Sequence, residues 1–87
     1  VYAEHYSREI KRKISKLAKK NPVWYSILWK QIDKILQNPS HNYKILKQDM
    51  QGKKRIHIGH FVLIFEIDHV NKTISFEDFD HHDNIYK

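Results

Sequence analysis

The chain of 87 residues has no cysteine, two glycines, two prolines and no long apolar run. Each scarcity excludes something. Without cysteine there is no disulfide scaffold and no thiolate-ligated zinc or iron–sulfur site. The longest apolar stretch, Phe61-Val62-Leu63-Ile64-Phe65, falls far short of the ~20 residues a membrane helix needs. No basic leader followed by an apolar segment opens the sequence, so the expected compartment is the cytoplasm, with no membrane partner. What is abundant is charge. The chain is 40% hydrophobic, 13% aromatic and 30% charged, a composition for one small folded domain spanning residues 1–87.

Acidic residues are scarce where cations are dense. Residues 1–55 carry fourteen Lys and Arg against four Asp and Glu, a balance of +10, whereas residues 56–87 carry two against six, a balance of −4. Five of the seven histidines, His57, His60, His69, His81 and His82, belong to the acidic part. A basic chain of this kind calls for an acidic partner such as nucleic acid, a ribosome surface or an acidic protein.

The few glycines and prolines act as punctuation. Asn21-Pro22 separates two helices, with Asn as N-cap and Pro in the first turn. Before it, Tyr6, Ile10, Ile14, Leu17 and Ala18 recur at helical spacing over roughly Ser7–Lys20. After it, Val23, Ile27, Leu28, Ile32, Ile35 and Leu36 form a second apolar stripe to about Gln37. So short a connection predicts two antiparallel helices. Residues 41–51 read as a polar loop. Beyond them the period changes to two, with strands at 54–58, 61–67 and 73–79 joined by turns at Gly59-His60 and residues 68–72. Ile74, Phe76 and Phe79 are expected inward. A short strand at residues 1–3 precedes the first helix. The predicted class is α+β, two N-terminal antiparallel helices packed on a small antiparallel sheet, in the order β-α-α-β-β-β.

Three features suggest chemistry. The run Asp78-Phe79-Asp80-His81-His82-Asp83 sets two imidazoles among carboxylates, and histidine exchanges protons near neutral pH. That equipment suits phosphodiester cleavage, in which a base takes the 2′-hydroxyl proton and an acid protonates the leaving 5′-oxygen. Equally, adjacent surface histidines are often only solvated by acidic neighbours. His57 and His60 flank the turn before the central strand and can approach the same place. No His-Glu-x-x-His spacing is present, so no metal or other cofactor is expected.

The second feature is basic. Arg8, Arg12, Lys16 and Lys20 form an i, i+4 stripe able to follow a phosphate backbone, and Lys44, Lys47, Lys53, Lys54 and Arg55 lie beside the sheet edge. The third is aromatic. Trp24 and Trp29 fall roughly opposite each other on the second helix, so one is either an anchor for a partner or a rim residue of the core. Tyr86 either stacks on a base or closes the core.

Three stretches taken in order resemble the RelE/ParE toxin family, in its RelE-like branch. They are Leu17-Ala18-Lys19-Lys20-Asn21-Pro22, the run from Arg55 to Ile67, and His81-His82-Asp83-Asn84-Ile85-Tyr86. Family members often show Arg-Ile-Arg-x-Gly-x-Tyr-Arg-x-Ile-Phe and end in His-Arg-x-x-Ile-Tyr. Arg55, Gly59, His81 and Tyr86 match. His57, Val62 and His82 stand where Arg is common, and Phe61 stands for Tyr. The resemblance is better to a histidine-using branch similar to YafQ.

It implies a toxin that cleaves mRNA on the ribosome and is neutralised by a small acidic antitoxin encoded nearby. The implied roles are His82 as general acid, His57 or His60 as base or orienter, and His81 and Tyr86 in support. Lys54 and Arg55 would clamp phosphate, aided by Lys47, Lys53, Arg8, Arg12 and Lys16. Trp24 and Trp29 would meet the antitoxin. Two other functions fit the same fold: a ParE-like inhibitor of DNA gyrase, and a degenerate toxin that keeps only antitoxin binding, which loss of Arg at Val62 would permit.

Overall fold

The structure, a computed structural model, describes residues 1–45 and 52–85. Strand β1 (Ala3–Tyr6) leads into helices α1 (Arg8–Lys20) and α2 (Pro22–Gln37). A two-residue strand β2 (Lys44–Ile45) follows, then β3 (Lys54–Ile58), β4 (Phe61–Asp68), β5 (Thr73–His81) and a single turn of helix, α3 (His82–Ile85). The five strands form one sheet in the order β1-β5-β4-β3-β2. The α+β expectation and its element order hold, with three refinements. The first strand begins two residues later than expected and runs parallel to β5, because it reaches that edge through the helices and not through a hairpin. Part of the 41–51 segment is strand: Lys44 pairs with Arg55 and Ile45 with Lys54. The last strand continues to His81.

Local chemistry explains the helical hairpin. Asn21 alone links the two helices: its N–H donates to the Leu17 carbonyl at 2.8 Å, and its side chain accepts from the Trp24 N–H at 3.3 Å. Ile10 and Ile14 from α1 meet Leu28, Ile32 and Ile35 from α2 over Ile58, Leu63, Phe65, Ile74, Phe76 and Phe79 of the sheet. Val23 and Ile27, expected in this stripe, are exposed instead. The helix contacts the sheet along a narrower arc than its apolar residues cover, and Trp24 takes the inward position of the first turn.

Ile74, Phe76 and Phe79 all face the helices although strict alternation forbids it. A bulge resolves the conflict: Ile64 pairs with Asp78 and Phe65 with Phe76, leaving Glu77 as the extra residue. Ser7 fastens this irregularity to the first helix. Its hydroxyl donates to the Glu77 carbonyl at 2.6 Å and accepts from the Ile10 N–H at 3.0 Å, so one side chain caps α1 and holds the bulge.

Beyond the bulge, β5 has no further pairing with β1, and its edge is closed by carboxylates. Asp78 accepts from the Phe79 N–H and Asp80 from the His81 N–H, at 2.8 and 2.7 Å. Lys13 of α1 donates to both carboxylates at 2.7 Å, and Asn84 of α3 donates to Asp80 at 2.9 Å. Burial works against the Asp80 charge, but the bonds from Asn84, Lys13 and the His81 N–H outweigh it and hold its pKa at about 2. Because this lies below the ordinary 3.8, the stabilisation is complete above that value and lost as pH falls through about 2. Discounted for partial exposure, the contribution is about 1–2 kcal/mol. Asp80→Asn should lose that amount at pH 7 and flatten the decline in stability between pH 4 and 2, as read by urea unfolding across pH.

Candidate active site

His57 and Arg55 alternate along β3 and pair with Val62 and Ile64 of β4. Leu63 and Phe65, between and beyond those two, face the helices, so His57 and Arg55 project from the other face of the sheet. Lys44, opposite Arg55, joins them there. The chain returns to this place at α3. The His82 N–H donates to the His60 carbonyl at 2.7 Å, which pins the start of α3 against the turn between β3 and β4.

That bond sorts the four sheet-end histidines into two pairs. The His57 and His82 rings have centroids 5.5 Å apart and planes inclined by 31°. The His60 and His81 rings stack at 6.0 Å. Of the two histidines proposed as base, it is therefore His57 that stands beside His82. Asp83 sits between the consecutive imidazoles, 3.7 Å from His81 Nδ1 and 3.6 Å from His82 Nδ1. Its N–H donates to His81 Nδ1 at 3.3 Å.

Arg55 decides the state of His57. A guanidinium only donates, so its 2.7 Å contact with His57 Nε2 makes that nitrogen an acceptor and the ring neutral, protonated on Nδ1. Partial burial, followed by the positive charge of Arg55 and the neighbouring His82 and Lys44, lowers the His57 pKa from the ordinary 6.5. The result is a neutral imidazole next to a second imidazole, on a face supplied with cations. A cleft of about 310 Å³ lined by His41, Tyr43, Lys44, Arg55 and His57 adjoins it.

The other basic residues disperse. Lys54 pairs with Phe65 and alternates with Arg55, so the two sit on opposite faces and do not form one clamp. Lys44 takes the place expected of Lys54, through a cross-strand pairing that the loop reading of residues 41–51 concealed. Lys53 is tied to Glu77 at 2.9 Å. Arg8, Arg12 and Lys16 belong to α1, across the sheet from His57, and Arg12 is paired with Glu9. Lys47 and Tyr86 lie outside the described residues. Trp24 and Trp29 are both half-buried: Trp24 packs on Phe61 at 5.1 Å, and Trp29 against Tyr6 at 5.8 Å. Val62 is fully buried, directly across from His57 and Asp80, and forms an apolar floor under the histidine pair. Sequence reasoning missed Lys13; its signal was a cation beside Ile10 and Ile14 on the inward face of α1.

A family model described as the ParE toxin of the type II toxin–antitoxin system parDE matches residues 2–86. The chain belongs to the RelE/ParE toxin family. It is 49% identical over 79 residues to an uncharacterised protein of Methanosarcina mazei, covering 90% of this chain and 91% of that one. It is 47% identical over 75 residues to a Methanocaldococcus jannaschii protein named "Putative toxin RelE4", covering 85% and 79%. Two solved structures share the fold. A metal-bound toxin from Helicobacter pylori superimposes with a TM-score of 0.81 at 15% identity, over 97% of this chain and 98% of that one. The RelBE2 toxin–antitoxin complex of Mycobacterium tuberculosis gives 0.71 at 19% identity, over 92% and 96%.

Within this RelE/ParE member the acidic side chains near the histidines have other work. Asp80 is engaged by Lys13 and Asn84, and among the described residues no group of three or more His, Asp or Glu side chains converges as a metal site would require. No helix among the described residues is long and apolar enough to cross a membrane.

Proposed function

We propose that this RelE/ParE family member is an endoribonuclease that cuts mRNA on the ribosome and so inhibits translation in the cytoplasm. The observation that carries the reading is the His57–His82 pair, 5.5 Å between ring centroids, with Arg55 2.7 Å from His57. His57 takes the proton of a ribose 2′-hydroxyl, whose oxygen attacks the adjacent phosphorus. The bond from phosphorus to the 5′-oxygen breaks, and His82 donates its proton to that oxygen. A 2′,3′-cyclic phosphate and a 5′-hydroxyl result. Arg55 and Lys44 face the charge that builds on the phosphoryl oxygens. Arg55 shifts from His57 Nε2 to the substrate phosphate as the RNA enters, and this frees the lone pair that His57 needs. The neutralising partner is an acidic antitoxin encoded nearby; the RelBE2 complex provides a precedent for that assembly on this fold.

The experiment is primer-extension mapping of mRNA in a translation extract, with and without ribosomes. Discrete new ends that appear only with ribosomes are the expected result. The match to a ParE model supports one second reading, gyrase inhibition. Intact mRNA with altered DNA supercoiling would establish it in place of cleavage. Normal growth after induction without an antitoxin would reduce the protein to a binding remnant.

A further inference from the structure

Helix α3 has four residues, too few to hold a helical shape unaided, yet it carries the imidazole that faces His57. The His60 carbonyl takes the His82 N–H, and the Asp80 carboxylate supplies the rest of the seat. Asp80 Oδ1 accepts from the His81 N–H at 2.7 Å and from Asn84 Nδ2 at 2.9 Å, so one oxygen grips the chain on both sides of His82. Asp80 Oδ2 accepts from Lys13 Nζ at 2.7 Å, and the same ammonium donates to Asp78 Oδ1 at 2.7 Å. Phe79 between them faces the helices, so Asp78 and Asp80 start on the histidine side, and Lys13 reaches them around the open edge of β5. The carboxylate is clamped at both oxygens, one toward α1 and the other toward α3. With Oδ2 fixed, the group cannot turn Oδ1 away from Asn84.

We propose that Lys13, Asp80 and Asn84 are positioning residues for RNA cleavage, which through α3 hold the His82 imidazole against His57. The inference deepens the nuclease reading and rests on it, whereas the seating of α3 stands on the bonds alone. If the carboxylates only covered the N–H groups of an open strand edge, the bonds to the Phe79 and His81 N–H groups would suffice. Lys13 and Asn84 add nothing to that task. What they add is direction, because they fix where the carboxylate points and where the turn that follows it lies. A proton donor displaced by about 1 Å from its target costs roughly a hundredfold in rate.

The test uses the full chain in ribosome-dependent mRNA cutting. Asn84 is exposed, so Asn84→Ala keeps the fold while removing the link between Asp80 and α3. Its rate at saturating ribosomes should fall roughly 10–100-fold, with the half-saturating ribosome concentration held within about twofold. Lys13→Met should slow cutting in the same way, and Lys13→Arg, which keeps donors for both carboxylates, should recover most of the rate. In a His82→Ala background Asn84→Ala should cost nothing further, because its effect passes through that ring. Amide NMR order parameters of residues 82–85 should drop in Asn84→Ala from about 0.85 to below about 0.6. Unchanged order, an unchanged rate, or an undiminished cost beside His82→Ala would each overturn the proposal. A wild-type chain that cuts no mRNA would end the nuclease reading instead, and the order parameters would still decide the seating of α3.

Discussion

Replacing His82 with Ala is expected to reduce ribosome-dependent mRNA cutting by roughly 10²–10⁴-fold, the usual worth of a positioned proton donor. The side chain is exposed and its N–H bond to the His60 carbonyl is made by the backbone, so the loss should come without unfolding. His57→Ala should act to a similar extent. The two are separable by pH. In the proposed mechanism His57 acts as the neutral base, so the rate should decline as pH falls through its pKa, with that limb below the ordinary 6.5 because partial burial, Arg55, His82 and Lys44 all disfavour the imidazolium. Arg55→Gln removes one of those charges, so the limb should move to higher pH while the rate drops through the lost phosphate contact. Rate against pH in a purified translation system reads both effects. Cutting by His82→Ala at the wild-type rate would remove that residue from the mechanism.

The largest loss of stability expected from adding one methyl group falls at Gly59. Its φ of +62° is left-handed, and an added Cβ would lie 2.5 Å from Trp24 Cη2. The ring cannot swing aside cheaply, because it is packed on Phe61. Backbone strain of about 1–2 kcal/mol and overpacking of about 1–3 kcal/mol give Gly59→Ala a cost of about 2–5 kcal/mol. For a domain of this size that is a fall in Tm of roughly 10–25 °C. A double-mutant cycle with Trp24→Leu separates the two parts. The alanine should cost less in the Leu background, where only the backbone part persists. An equal cost in both backgrounds would show that the ring contact is not what constrains this turn. The same turn holds His60, so a folded variant should also disturb the seating of α3.

Much of the fold was legible because its causes are local. Apolar spacing marked both helices, Asn21-Pro22 marked their junction, and Gly59-His60 marked the hairpin between β3 and β4. These signals act within a few residues, where backbone hydrogen bonding and φ/ψ preferences decide the outcome. The extent of the buried stripe was less legible. Val23 and Ile27 share the helical period with Leu28, yet which of them is buried depends on the angle at which α2 meets the sheet. The separation of Lys54 from Arg55 lies at the border: strand alternation alone puts neighbours on opposite faces, which already separates the two halves of the expected phosphate clamp.

By itself the sequence determined the α+β class, the helical hairpin, the split between a basic arm and an acidic, histidine-bearing end, and the family. Tertiary structure decided which histidine meets which. His57 and His82 are twenty-five positions apart, and they meet because the β3–β4 turn, the register of β4 on β5 and one backbone bond to His60 bring α3 back over Val62. It also decided the bulge at Glu77, which lets Phe79 stay inward, and the bond from Lys13 to Asp80, which joins residues sixty-seven positions apart. Such contacts follow from loop closure and register summed over the whole sheet, and no local window of residues contains that sum.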